Sequence, residues 1–268
     1  MTGNTLNLPS ERIPFLDVRN LTLQYKTARH LITATRNVSF CCEEFGRVIL
    51  LGPSGCGKST ILKAVGGFIK PVSGAIFLKG EPVTQPGADR GFVFQEFDQL
   101  LPWKTALENV VFAIRSARKV GRKAAVEEAR ALLVKVNLGR FEHTYPHALS
   151  GGMKQRVAIA RGLALKSEII LMDEPFAALD AMTRRKMQDE LLELWQENRF
   201  TLLFVTHSID EAITLGTRVV MLSPHPGQVV ETLDIDPAVL DIQHRTKHLI
   251  LKESISRALF QDQADYVI

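Results

Sequence analysis

The sequence predicts an α/β fold in which parallel strands alternate with helices, with an antiparallel edge sheet and an inserted helical lobe. Two patterns predict the core. Short aliphatic and β-branched runs bounded by Gly or Pro alternate with longer amphipathic stretches, the order that parallel strands joined by crossover helices require. Several runs, Ile169-Ile170-Leu171-Met172 among them, are apolar at every position, as strands covered on both faces must be. A third observation places the lobe. Between Gln99 and His147 no strand signal occurs, and Ala125, Ala129, Leu132, Leu133 and Val136 fall on one helical face.

Residues 15–25 and 32–40 alternate apolar and polar positions and are expected as the antiparallel edge pair. Buried parallel strands are expected at 47–51, 91–94, 168–172, 201–205 and 218–222. The chain then divides into an N-terminal extension (1–14), a main unit (15–240, its lobe at about 99–157) and a short helical tail (241–268). The basic run Arg115, Arg118, Lys119, Arg122 and Lys123 in the lobe suits a solvated helix surface, with a site for anionic lipid or substrate as the alternative. Adjacent Cys41 and Cys42 are expected on opposite faces of a strand, as small apolar side chains.

Composition narrows the setting. With 268 residues, 46% hydrophobic and 23% charged, the chain can bury the core of one large domain, or of one domain with an inserted lobe. Its 33 Lys and Arg against 29 Asp and Glu leave +4 and no polybasic tract of the kind that grips a nucleic-acid backbone, so no nucleic-acid partner is expected. Three cysteines, forming neither a spaced disulfide framework nor paired metal ligands, fit a reducing cytoplasm. Pro9 and Pro14 stand where an export signal needs an apolar core. The longest apolar runs are far short of the roughly 20 residues that cross a bilayer, so action at a membrane would go through a partner.

Gly52-Pro53-Ser54-Gly55-Cys56-Gly57-Lys58-Ser59 follows the apolar run Val48-Ile49-Leu50-Leu51 and precedes a helical start at Thr60-Ile61-Leu62. Strand, glycine loop and helix together are the context of a P-loop. Glycines let successive N–H groups face inward as an anion nest at a helix N-terminus, whose dipole favours phosphate. Lys58 can reach the β- and γ-phosphates and the Ser59 hydroxyl can ligate Mg²⁺. Alone, this motif says nucleotide and little more. Glu168-Ile169-Ile170-Leu171-Met172-Asp173-Glu174 then delivers two carboxylates at the mouth of the sheet, where doubly wound folds bind ligands. Asp173 is expected to hold Mg²⁺ and Glu174 to accept a proton from the attacking water; plain capping is the alternative for both.

Leu149-Ser150-Gly151-Gly152-Met153-Lys154-Gln155-Arg156 resembles the signature sequence of ATP-binding-cassette proteins. Ser150 can cap the following helix while Gly151 and Gly152 allow close backbone approach, which makes a second anion site in one chain. The resemblance runs from Phe15 to about Ile235, with the family's motifs in order. It implies a P-loop NTPase core of the RecA-like kind with ATP and Mg²⁺ as cofactors, and a homodimer in which the signature of one subunit binds the γ-phosphate held by the other. It also implies that Tyr25 stacks on adenine, with a core tyrosine as the alternative. By the same resemblance Gln95 senses Mg²⁺ and the attacking water, Ala178-Leu179-Asp180 crosses the dimer interface, and His207 contacts the γ-phosphate. Met153 stands where many members have glutamine and Ala177 where many have serine, but neither position carries a group the chemistry needs. Every residue needed for hydrolysis is present, which implies an active ATPase.

Pro86-Gly87-Ala88-Asp89-Arg90-Gly91-Phe92-Val93-Phe94-Gln95, Leu100-Leu101-Pro102-Trp103 and Leu222-Ser223-Pro224-His225-Pro226-Gly227 are similar to ATPases of importers for nitrate, sulfonates and taurine. That likeness implies integral membrane permease subunits as partners, a substrate-binding protein indirectly, and a peripheral place on the cytoplasmic face of the inner membrane. Phe97, Leu100, Leu101 and Trp103 are expected either as a groove for the membrane subunit's coupling helix or, for Trp103, as lobe core. The rival classes are a cassette protein acting on DNA or the ribosome, which lacks support from any sustained heptad here, and a P-loop kinase, which leaves residues 149–156 unexplained.

Overall fold

The computed structural model describes residues 13–26, 31–95, 99–236 and 245–261. A six-stranded sheet forms the centre, in the order β10 (Val229–Asp234), β9 (Arg218–Leu222), β3 (Arg47–Leu51), β8 (Thr201–Thr206), β7 (Ile169–Asp173) and β6 (Arg90–Val93). The five strands from β9 to β6 are parallel and only the edge strand β10 runs against its neighbour. All five parallel strands were expected within a residue or so. Above them lies a four-stranded antiparallel sheet in the order β2 (Leu31–Cys42), β1 (Leu16–Lys26), β4 (Ser73–Leu78) and β5 (Glu81–Pro82). The sequence pattern foresaw β1 and β2 but not β4, β5 or β10.

Period-two alternation assigns each central strand to two cores at once. Ile49, Leu51, Ile170, Met172, Leu202 and Phe204 pack on the helical side, while Val48, Leu50, Ile169, Leu171, Leu203 and Val205 pack on the other, with α1 (Lys58–Val65) and the antiparallel sheet. A strand in this position has no solvent face, which is why its run is wholly apolar. Cys42 is buried and Cys41 half-buried, as expected of neighbours on opposite faces, and burial pushes the Cys42 thiol up to about 12.

The lobe holds α2 (Ala106–Ala117), α3 (Arg122–Lys135) and α4 (Gly151–Ala164), and among the described residues no strand interrupts 99–147. Thr105 and Glu108 close a reciprocal capping box on α2. Of the face the helical spacing predicted, Ala125, Ala129, Leu133 and Val136 are buried and Leu132 is half-buried. In the basic run Arg115, Lys119, Arg122 and Lys123 are exposed. Arg118 departs from that surface: it donates to the Ala164 carbonyl at 3.1 Å and pairs with Glu128 at 2.8 Å, tying the end of α2 to α3 and α4.

Three helices complete the described chain: α5 (Ala181–Asn198), α6 (Ile209–Leu215) and α7 (Arg245–Gln261). Ile255 and Leu259 of α7 are buried, and Lys252 meets both Asp210 carboxylate oxygens at 2.7 and 2.9 Å. Among the described residues no helix is long and apolar enough to cross a membrane.

Candidate functional site

The glycine loop leaves β3 at Leu51 and returns as α1, so its main chain lies at the carboxyl edge of the sheet. Register places Leu51 beside Thr206 and Asp173 beside Val205, which brings the ends of β3, β8 and β7 to one rim. Gly57 caps α1 with φ at 96°, and a Cβ there would lie 2.6 Å from Thr35 Cγ2 and 2.8 Å from the Ala34 carbonyl. No other residue fits without displacing β2. A Cβ on Gly52 would be just as crowded, 2.9 Å from the Leu222 carbonyl. The Gly227 loop braces the other side: Arg36 N–H donates to Gly227 O at 2.9 Å, and Gly227 N–H to Ala34 O at 3.0 Å.

Inside this frame Lys58 is buried, its ammonium donating to the carbonyls of Gly52 at 2.8 Å and Pro53 at 2.9 Å. The lysine thus staples the loop into an arch. Ser54 and Gly55 are exposed at its crown, Pro53, Ser59 and Thr60 are half-buried, and Cys56 is fully buried with its thiol pushed up by desolvation. Ser59 Oγ donates to Asp173 Oδ1 at 2.7 Å. Burial pushes the Asp173 carboxyl above its ordinary range, the Ser59 hydrogen bond opposes the shift, and the charge of Glu174 adds to it.

Glu174 carries the second carboxylate in the left-handed region, φ 41°, with its N–H donating to Val205 O at 3.1 Å. A non-glycine residue in that conformation is sparsely populated and needs surrounding structure to hold it. Here the turn aims the carboxylate back over the rim, between Lys58 Nζ at 3.8 Å and His207 Nδ1 at 3.1 Å. His207 follows β8 and is held from behind. Thr206 Oγ1 accepts from Ser208 N–H and donates to the buried Glu211 carboxylate, which also takes Gln188 Nε2.

The structure therefore brings Lys58, Ser59, Asp173, Glu174 and His207 into one cluster. Gln95 lies two residues past β6, exposed, and Tyr25 near the end of β1 is 47% exposed, which removes the core-tyrosine alternative. Ser150 caps α4, accepting from Met153 N–H at 3.3 Å, with Gly151 and Gly152 in the first turn. Asp180 caps α5, and the N–H groups of Thr183 and Met182 hold its carboxyl below the ordinary range. Among the described residues no hydrogen bond or ion pair joins Tyr25, Gln95, Ser150 or Asp180 to the Lys58 cluster. Leu100 is buried, Leu101 half-buried and Trp103 69% exposed, so Trp103 is not lobe core; Phe97 lies outside the described residues.

Sequence reasoning missed three features here. The Thr35 and Gly227 brace joins distant segments and leaves no local pattern. Arg156 fastens α4 to its neighbours through Glu190 at 3.0 Å and the Val136 carbonyl. Phe68, Phe92 and Phe94 form an aromatic patch beside Gln95, with Phe92 and Phe94 centroids 4.2 Å apart and Phe68 53% exposed.

Comparison with known proteins bears on the same residues. The family model described as ABC transporter matches residues 35–177. An uncharacterised ABC transporter ATP-binding protein of Methanocaldococcus jannaschii is 43% identical, over 91% of this chain and 94% of that protein. A taurine import ATP-binding protein of Rhizobium johnstonii is 50% identical over 76% and 78%, and a nitrate import ATP-binding protein of Synechococcus elongatus 44% over 79% and 77%. Dimeric structures of the ATP-binding cassette MJ0796 superpose with TM-scores of 0.74 and, bound to ADP and Pi, 0.73, at 35% and 34% identity. Each covers 82% of this chain and 99% of the cassette. The phosphate arch, the paired carboxylates and the capped signature helix are thus set in a family frame: the chain belongs to the ABC transporter family, as an ATP-binding and ATP-hydrolysing cassette.

Proposed function

We propose that two copies of the chain close on two ATP molecules, and that each ATP is held by the arch of one copy and the signature of the other. The observation that carries this reading is the presence of two phosphate-suited helix N-termini, at Lys58 and Ser150, with no bond between them inside one chain. The arch from Gly52 to Thr60 takes the phosphates on its N–H groups and Lys58. Ser150, Gly151 and Gly152 of the partner copy present the opposing N–H groups to the γ-phosphate. Asp180 stands at the junction, and Tyr25, exposed at the end of β1, supplies a ring for adenine.

Hard oxygen donors suit Mg²⁺, and the Ser59 hydroxyl and Asp173 carboxylate converge where it would sit, with Gln95 as a further ligand. When bound, the ion neutralises charge on the transferred phosphate. Glu174 accepts the proton of the attacking water, and His207, within reach of the same carboxylate, orients it and the γ-phosphate. The backbone turn at Glu174 sets that aim before ATP arrives.

The cassette would then drive an importer for a small anionic or zwitterionic solute of the nitrate, sulfonate or taurine kind. It would sit peripherally on the cytoplasmic face of the membrane beneath permease subunits, which a separate binding protein supplies. The exposed Trp103, Phe68 and Phe94 support a docking face for the permease. Mixing tests the composite site. Lys58→Ala and Ser150→Arg homodimers each carry a lesion in both sites, whereas the heterodimer collects both lesions in one and leaves the other intact. Differently tagged mutants are expected to occlude about one ATP per heterodimer. Verified heterodimers that occlude none would overturn the trans arrangement.

A further inference from the structure

Gln155 is 0% exposed, and neither its Nε2 nor its Oε1 has a hydrogen-bond partner. A primary amide carries two donors and an acceptor, and burying all of them unpaired is unfavourable where a hydrocarbon of the same shape would fit. Such a group calls for a reason beyond packing.

Its position supplies one. Gly152, Gln155, Ile159 and Gly162 lie on a single face of α4 by helical spacing. At one end of that face a Cβ on Gly152 would touch Thr183 and Leu179, 3.2 and 3.6 Å away; at the other a Cβ on Gly162 would touch Val93 and Ile170, 3.3 and 3.9 Å away. Leu179 and Thr183 flank Asp180, while Val93 and Ile170 belong to the strands that lead to Gln95 and to Asp173. The amide therefore sits on the face that joins the signature to the interface loop and to the catalytic rim. The next residue does the opposite: Arg156 is fully engaged with Glu190, Met187 and the Val136 carbonyl. One side of α4 is fastened, and the side facing the chemistry keeps an unspent amide.

We propose that Gln155 is a positioning residue, whose amide hydrogen-bonds the main chain of the loop 177–180 when two chains close on ATP, so that signature and Asp180 move as one piece. The proposal rests on the composite-site reading. In the open chain the amide waits; in the closed dimer it finds a partner, and the difference favours closure.

Gln155→Met keeps volume and removes the polar group. It is expected to have an equal or higher Tm, an ATP KM within about two-fold of wild type, and a kcat lower by about ten-fold or more. Gln155→Glu restores a donor and acceptor only while its buried carboxyl is protonated, so its kcat relative to wild type is expected to rise several-fold as pH falls from about 8 to about 6. A Met variant with wild-type kcat, whatever its Tm, would overturn the proposal, as would a Glu variant whose relative kcat is flat with pH. Dimerisation separates the two layers of argument. A Glu174→Gln parent that dimerises with ATP, beside a Glu174→Gln, Gln155→Met version that does not, supports both. A parent that dimerises equally with and without Gln155→Met overturns only the role of Gln155. A parent that stays monomeric with ATP overturns the composite site and this partner for Gln155 with it.

Discussion

The Ser59 hydroxyl donates to the Asp173 carboxylate at 2.7 Å, tying the first turn of α1 to the last residue of β7. Two oxygens from different elements thus converge at a partly buried point, where desolvation pushes the carboxyl up. Asp173→Asn keeps the shape and removes the charge. ATP affinity in Mg²⁺ is expected to fall about ten-fold or more, toward the value measured in EDTA, with little change in the metal-free affinity. Calorimetry in both buffers measures this; an undiminished Mg²⁺ enhancement would take Asp173 out of the metal site.

Glu174→Gln preserves the hydrogen bond with His207 and cannot accept a proton. Hydrolysis is expected to slow on the order of 10²-fold or more while ATP binding is retained. Phosphate release and light scattering with ATP should show a slow, persistently dimeric protein. Normal turnover in this variant would move the base elsewhere.

Gly57→Ala places a methyl group against Thr35 and Ala34 at a φ of 96°. The left-handed backbone alone costs about 1–2 kcal/mol, and the contact with β2 adds to it. Chemical denaturation should show the loss together with weakened nucleotide binding. Gly55, at φ 81° with nothing within 4 Å of its would-be Cβ, serves as the control, since an Ala there bears only the backbone strain.

Burial pushes the Glu211 carboxyl up, against the Thr206 hydrogen bond and the charge of Arg184. A carboxyl raised in the native state binds its proton more tightly there than in the unfolded chain. Its contribution to stability is fully present below the unfolded value of 4.5 and is lost as pH rises through the folded value. Glu211→Gln is neutral throughout, so its Tm is expected to gain on wild type between about pH 5 and about pH 8. Thermal scans across that range that give a constant difference would contradict the raised carboxyl.

Residues with a local signature were legible from the sequence. Ile169 to Met172 announced a doubly covered strand because every position is apolar, and Lys58, Ser59, Asp173 and Glu174 stand at the spacings a phosphate site imposes. By contrast β4 begins with Ser73 and Gly74, the latter at φ 84°, β5 is two residues long and includes Pro82, and β10 is an edge strand with no fully buried position. Nothing in such segments separates strand from loop until a neighbour pairs with them. The burial of Gln155 was illegible for a related reason: it lies between Lys154 and Arg156, and only the packing of α4 against α5 and β6 decides which of the three turns inward.

Gly227 comes so close to the phosphate loop that a Cβ on it would lie 2.1 Å from the Cys56 carbonyl, and its main chain pairs with Ala34 and Arg36. On the ribosome these partners emerge far apart in time. The arch at Lys58 is synthesised early, the carboxylate of Glu174 much later, and the glycine that closes the arch's flank later still, after the last parallel strand. A nascent chain therefore carries Lys58 and Ser59 long before the arch has a wall, and that flank can close only after the carboxylates of Asp173 and Glu174 have been made.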